Sequence, residues 1–302
     1  MNLYIFNFKL FAFVFFTTVL VSMAFTLFMV ESHLKKNIKL NKNLQNYKYL
    51  FSNGKADWIA LGDSHVANSL SNSSWLDNLG YASDNLISLE EKAFRRIIRL
   101  KPKGIILPAD PHIFSFYRLF DNQKEKTKFL TTKTTYFFNF LNPINRPYLV
   151  NIIKSIYINK FKYLFGIKKN KIKKIDWVDT PIKQRNYETS IRVQLHTPIL
   201  QFKSHPYYQK YKKMIKSYLD LNIKVCLVRY PVSTLYFNET KSIDIFNQVN
   251  SSFKTIAMKY NINFVDLSNV LENNKFSDTD HIKLEYKRMI TNLIKYSCGI
   301  ND

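Results

Sequence analysis

From Leu10 to Val30 no residue is charged, and Phe, Val, Leu, Ala, Met and Thr fill almost every position. At about 1.5 Å per residue, a helix of this length spans the roughly 30 Å apolar core of a bilayer. Ser22-Met23-Ala24 offers a small-x-small cleavage site, but the apolar run continues through Phe25 to Val30. The reading is therefore an uncleaved anchor over residues 1–30 rather than a removed signal peptide. Residues 31–56 form a polar stalk, helical over 31–50. Beyond it the pattern changes to short apolar runs alternating with amphipathic stretches. Trp58–Gly62, Lys103–Pro108, Ile223–Tyr230 and Asn263–Leu267 read as strands. Residues 65–71, Ser88–Leu100, Ile243–Tyr260 and Ile282–Ile294 read as helices; in Ser88–Leu100, Leu89, Ala93, Ile97 and Leu100 recur at helical spacing.

Strands alternating with helices predict a mostly parallel sheet covered on both faces, a three-layer α/β/α domain of flavodoxin-like type over residues 57–302. Ligands in such sheets bind beyond the carboxyl ends of the strands. Between about 113 and 205 the alternation breaks. This stretch is rich in aromatics, among them Tyr136-Phe137-Phe138 and Phe161, and Lys154 to Lys174 holds eight lysines and no acid. It reads as a mostly helical insertion with a solvated basic face; the sharper reading is a lid that meets a membrane or an anionic glycan.

Charge adds one question. Lys and Arg total 45 against 22 acids, a net charge of +23. No zinc-finger spacing, RNP-like signature or phosphate-binding Gly-Lys loop accompanies it, so nucleic acid is not the expected partner. Spread over the chain, the charge suits a generic basic surface or attraction to anionic lipid or polymer. Two cysteines, Cys226 and Cys298, supply no disulfide framework and no metal-ligand spacing, and Cys226 in its apolar run reads as a buried thiol. No metal and no cofactor is assigned.

Two short motifs carry the chemistry. Gly62-Asp63-Ser64-His65 follows the first strand, and Asp278-Thr279-Asp280-His281 precedes the last helix. A serine on a strand-to-helix turn exposes its Oγ. A histidine within reach can take its proton, and a carboxylate can fix the imidazole tautomer. The order is Ser…Asp…His. The α/β-hydrolase elbow G-x-S-x-G is not matched, because Val66 stands where its second glycine would be.

These blocks resemble those of the SGNH (GDSL-like) hydrolases, and Lys275–Ile282 is similar to the last block of bacterial membrane-associated members. The resemblance covers about residues 57–112 and 222–297. It implies Ser64 as nucleophile, His281 as base and Asp278 as its orienting acid. Asn78–Asn85 resembles the second block, whose oxyanion-hole glycine falls on Ser83. The third block ends its strand with Gly-x-Asn in the family. Here Pro108-Ala109-Asp110-Pro111-His112 brings no asparagine, and an ionised Asp110 is an acceptor rather than a donor. The expected oxyanion donors are thus the N–H groups of Ser64 and Ser83, with the side chain of Asn85 or His112 filling the gap. His65 reads as a neighbour of the nucleophile, and His33, His196 and His205 as surface or structural histidines.

The resemblance implies a membrane-anchored serine esterase acting on an O-acylated cell-surface polysaccharide or related envelope polymer. An O-acyltransferase using the same acyl-enzyme, alongside a membrane-bound acyltransferase partner, is the alternative. So is a degenerate glycan-binding or assembly component. The flanking Lys35, Lys36, Lys39 and Lys42 would place the body in the cytoplasm by the positive-inside rule. The resemblance places it outside, and outside is the expectation.

Overall fold

A computed structural model describes residues 8–36, 54–120 and 176–300. The chain divides into two compact units. The first contains helix α1 (Phe8–Lys36). Its segment Leu10–Ser32 is long and apolar enough to cross a membrane. Most of its Phe, Leu and Val side chains are exposed, while Val30 is buried. Most of the expected stalk lies outside the described residues, as does 121–175, the greater part of the expected insertion.

The second unit is built on five strands: β1 (Trp58–Ala60), β2 (Leu76–Asn78), β3 (Gly104–Pro108), β4 (Lys224–Arg229) and β5 (Asn263–Asp266). All pairings are parallel and the order is β2-β1-β3-β4-β5. Ile59, Ala60, Leu61, Ile105, Ile106, Leu107, Leu227 and Val228 are wholly buried. This explains why these strands read as unbroken apolar runs rather than as alternating ones.

The helices are α2 (Ser64–Ser69), α3 (Leu86–Leu100), α4 (Phe116–Phe120), α5 (Ile182–His196), α6 (Pro206–Asp220), α7 (Thr234–Lys241), α8 (Asp244–Tyr260) and α9 (Lys287–Ser297). The chain steps one way from β1 to β2 and the other way from β2 through β3 to β5. With right-handed crossovers, α2 must cover one face, and α3, α6 and α8 the other. The contacts agree: α9 packs on α2, and α3 on α6. Lys287 Nζ donates to Ala67 O at 2.7 Å and Ser71 N to Thr291 Oγ1 at 2.9 Å, tying α9 to α2. The expected α/β/α sandwich is present. Its switch of winding direction falls between β1 and β3.

Three expectations need correction. The strand β2 was not expected. The last helix begins at Lys287 rather than Ile282, because Ile282 forms an antiparallel bridge with Phe276. Cys226 is not a free thiol. It is disulfide-bonded to Cys298, with Cα atoms 5.9 Å apart, joining β4 to the residue after α9.

Candidate active site

The first motif forms a braced turn. Asp63 caps α2, its Oδ1 accepting from His65 N at 2.9 Å, so Ser64 becomes the first helical residue. A Cβ on Gly62 would lie 2.1 Å from Val66 Cγ2, so the strand can turn this closely into α2 only through glycine. The second-block loop presses on the same helix. A Cβ on Gly80 would come within 2.7 Å of Ala67 N. Asn78 Nδ2 donates to the carbonyls of Val66 and Leu70, at 3.1 and 2.9 Å, and Tyr81 N donates to Gly62 O at 2.9 Å. Further along this loop Ser83 has φ +66°, a left-handed conformation that glycine adopts without strain.

The last motif is equally constrained. Phe276 and Ile282 bridge its base, and Ser277 N donates to His281 O at 2.8 Å. Thr279 is held from both sides: its Oγ1 meets Thr189 Oγ1 at 2.9 Å, and its carbonyl accepts from Ser233 N at 3.1 Å. Asp278 Oδ1 accepts from the backbone of Asp280 and His281, and its carboxylate meets His281 Nδ1 at 2.9 Å. This fixes the ring and directs Nε2 away from the acid. That Nε2 is buried and has no hydrogen-bond partner. The His281 ring stands edge-on to His65, with centroids 5.6 Å apart. The structure therefore brings the Asp278–His281 pair beside the turn that carries half-buried Ser64. It forms no Ser64–His281 hydrogen bond; such bonds are often long before substrate binds.

Behind the turn lies a buried polar cluster that the sequence did not announce. His65 is neither peripheral nor solvated. Its Nε2 meets Asp280 Oδ2 at 3.0 Å, and its Nδ1 lies 3.5 Å from Asp110 Oδ2, an electrostatic contact without a hydrogen bond. His112 Nε2 meets Asp63 Oδ2 at 2.5 Å, and Arg118 pairs with the same oxygen. His196, expected to be a surface or structural histidine, is buried here at the end of α5, its Nδ1 2.8 Å from Tyr236 Oη. It stacks on His112 with centroids 4.6 Å apart. His205 caps α6 instead, and the side chain of His33 lies outside the described residues.

Burial dominates the electrostatics, and specific partners decide each outcome. Burial disfavours ionised Asp63, but Arg118 and His112 hold its carboxyl well below the usual range. Burial also opposes a charged His65. Asp110 and Asp280 reverse this and hold the imidazole well above its ordinary value. Burial, reinforced by the neighbouring imidazoles, pushes His196 well below its own, while His112 is lowered by burial that Asp63 only partly offsets. The carboxyl of Asp280 is driven down against burial by His65 and His281.

The expected oxyanion donors fall in different places. Ser64 opens α2, and Ser83 lies in the second-block loop. Asn85 Oδ1 accepts from Ser88 N at 3.1 Å, so its carbonyl caps α3. His112 is engaged with Asp63, as above. Asp110 Oδ1 accepts from Tyr230 N at 3.0 Å, joining the ends of β3 and β4. Among the described residues two trios offer donor atoms within 4.8 Å of one another, His65–His112–His196 and His65–Asp280–His281.

Solved structures with a similar arrangement include a protein assigned as an acylhydrolase from Bacteroides fragilis NCTC 9343, at 13% identity and TM-score 0.43, covering 85% of this chain and 96% of that one. A protein assigned as lipolytic and of the G-D-S-L family, from Desulfitobacterium hafniense DCB-2, aligns at 10% identity and TM-score 0.39, covering 80% and 98%. A protein assigned as a platelet activating factor from Streptococcus pneumonia aligns at 12% identity and TM-score 0.41, covering 88% and 96%. No protein-family model and no curated protein matches the chain.

Proposed function

We propose that this chain is a membrane-anchored SGNH-like serine esterase, with an O-acylated cell-surface polysaccharide or related envelope polymer as its substrate. The observation that carries the reading is the meeting of the first and last motif blocks at the carboxyl end of β1, where the sheet changes winding direction. Open α/β sheets place their ligands at such a point. In this reading Ser64 Oγ attacks the ester carbonyl while His281 Nε2 takes its proton. The tetrahedral intermediate collapses to an acyl-enzyme as His281 returns the proton to the leaving alcohol. Water, activated by the same histidine, then releases the acid. Asp278 holds the imidazole and offsets its transient charge. In this reading the N–H groups of Ser64 and Ser83 would hold the developing oxyanion, with the amide Nδ2 of Asn85 as a third donor.

A sugar hydroxyl in place of water gives acyl transfer through the same acyl-enzyme. A binding role without turnover is favoured by one feature: Asp110, at the third-block position, holds Tyr230 N and faces His65 rather than presenting an amide donor. A fluorophosphonate probe separates these classes. Labelling of Ser64 in the full-length protein, located by peptide mass and lost in His281→Ala, supports the enzyme; a folded protein that resists the probe rejects it.

The Cys226–Cys298 disulfide supports an extracytoplasmic domain, since such bonds persist in oxidising compartments. It outweighs the lysines that follow the apolar run, because lysine is abundant throughout the chain. An alkaline phosphatase fusion after Asp302 should be active. Fluorescence from a green fluorescent fusion at the same point would instead place the domain in the cytoplasm.

A further inference from the structure

We propose that His65, His112 and His196 form a binding site for one divalent transition-metal ion of the zinc class. One donor atom from each lies within 4.8 Å of the other two. The three rings come from separate segments: the first turn of α2, the short turn after β3, and the last residue of α5. All three are buried, at 2–3% exposure. Imidazole suits zinc, copper, iron and nickel, whereas calcium and magnesium prefer oxygen donors.

The partners of the three rings point to the same use. Histidines that bind metal almost always engage their other ring nitrogen with a carboxylate or another oxygen, which fixes the tautomer and the ring orientation. Here each ring has one nitrogen so engaged: His65 Nε2 with Asp280, His112 Nε2 with Asp63, and His196 Nδ1 with the hydroxyl of Tyr236. The second nitrogen of His65 is buried without a hydrogen-bond partner, and so is Asp110 Oδ2, 3.5 Å from it. An unpaired buried ring nitrogen is costly, and an ion held among the three rings would satisfy it.

Charge balance agrees. Asp63, Asp110 and Asp280 are buried together at 1–5% exposure. Among the described residues Arg118 is the one buried arginine paired with them, and half-exposed Arg192 reaches Asp280 only at 3.4 Å. Buried charge has to be matched locally. A protonated imidazole supplies one positive charge here; a divalent ion supplies two. Bound among the three rings, the ion would cross-link the nucleophile turn to the segment after β3 and to α5. The proposal does not depend on Ser64 being a nucleophile.

The test uses full-length protein in detergent, without a histidine tag, stripped with a chelator and dialysed against Zn²⁺ and then Co²⁺. The expected result is one Zn²⁺ per chain by elemental mass spectrometry, with visible d–d absorption from the Co²⁺ form. Ser64→Ala and His281→Ala should bind as the parent does. His112→Ala and His196→Ala should lose stoichiometric binding; if either fails to fold, His112→Gln or His196→Asn replaces it. Tyr236→Phe, which removes only an outer hydroxyl, should weaken binding by roughly 10–100-fold. A folded parent protein that retains no Zn²⁺ overturns the site. So does binding that survives both His112 and His196 substitutions, or that is lost only with His281, which would assign the ion to the other trio.

Discussion

His65 and Asp280 meet side chain to side chain, Nε2 to Oδ2 at 3.0 Å, across 215 positions of sequence. The first and last motif blocks are therefore joined directly and not merely placed near each other. The link also puts a second carboxylate behind the proposed base, because Asp280 Oδ1 lies 3.6 Å from His281 Nδ1. Asp278 is nearer to that nitrogen but is 42% exposed, whereas Asp280 is 1% exposed.

This arrangement predicts an uneven response among the acids. Ser64→Ala and His281→Ala should each remove most ester turnover, about 10⁴-fold or more, and the double variant should lose little beyond either single one. Asp278→Asn should cost less, on the order of 10²-fold, because Asp280 remains beside the ring. Asp278→Asn with Asp280→Asn should fall to the level of His281→Ala. Initial rates on a short-chain aryl ester decide this. Near-parental activity in Ser64→Ala would reject the assignment.

Ser83 adopts φ +66° in the second-block loop. A left-handed non-glycine residue costs about 1–2 kcal/mol, partly recovered through the lower entropy of the unfolded chain. Ser83→Gly should therefore raise the unfolding midpoint slightly or leave it unchanged, and keep the backbone donor in place. Ser83→Val should lower stability by more than 1 kcal/mol, since β-branched residues tolerate this region least. Denaturant melts of the two variants measure the difference.

Lys92 and Asp84 form an ion pair with no exposure on either side chain, and Lys92 Nζ also donates to Leu79 O at 3.0 Å. Removing one partner of such a pair costs about 3–5 kcal/mol, while replacing both with apolar residues is often close to neutral. Lys92→Met should thus be severely destabilised, and Lys92→Met with Asp84→Leu should recover most of the loss. The pH dependence has a definite sign. Burial, against the pull of Asp84, lowers the Lys92 pKa below its usual 10.5. Between the folded value and 10.5 the unfolded chain holds more protons, so this group makes stability rise with pH. The double variant should lack that rise.

The disulfide closes a separation of 72 residues. In the chain-entropy account a loop of that size contributes about 4 kcal/mol. Reduction, or Cys226→Ala with Cys298→Ala, should lower the denaturation free energy by about 2–5 kcal/mol. An unchanged midpoint under reducing conditions would show that the bond is not closed in solution.

The legible parts of the chain share one property: their signal is local. Ile105-Ile106-Leu107 and Val225-Cys226-Leu227-Val228 read as central strands because both faces are covered and every residue is apolar. β2 escaped because it has three residues, two of them polar; Asp77 is held there by Arg96, which lies one helix further on. Ile282 extended the apparent last helix because an apolar bridge residue cannot be told from a helical one by periodicity. The serine, acid and base were readable as short motifs. The cluster behind them was not, since His65, Asp110, His112, His196 and Asp280 become neighbours only after the sheet and α5 are in place. The pairing of Cys226 with Cys298 is likewise a property of β4 and α9 together.

The Cys226–Cys298 bond encloses β5 and the whole Asp278–His281 motif within one covalent ring. A single protease cut anywhere inside that ring would leave both fragments attached. Fraying of α9 at its carboxyl end would leave Cys298 tied to β4. In the extracytoplasmic location proposed above, the acid–base half of the proposed site would survive nicking as a tethered piece, able to close again on the serine half.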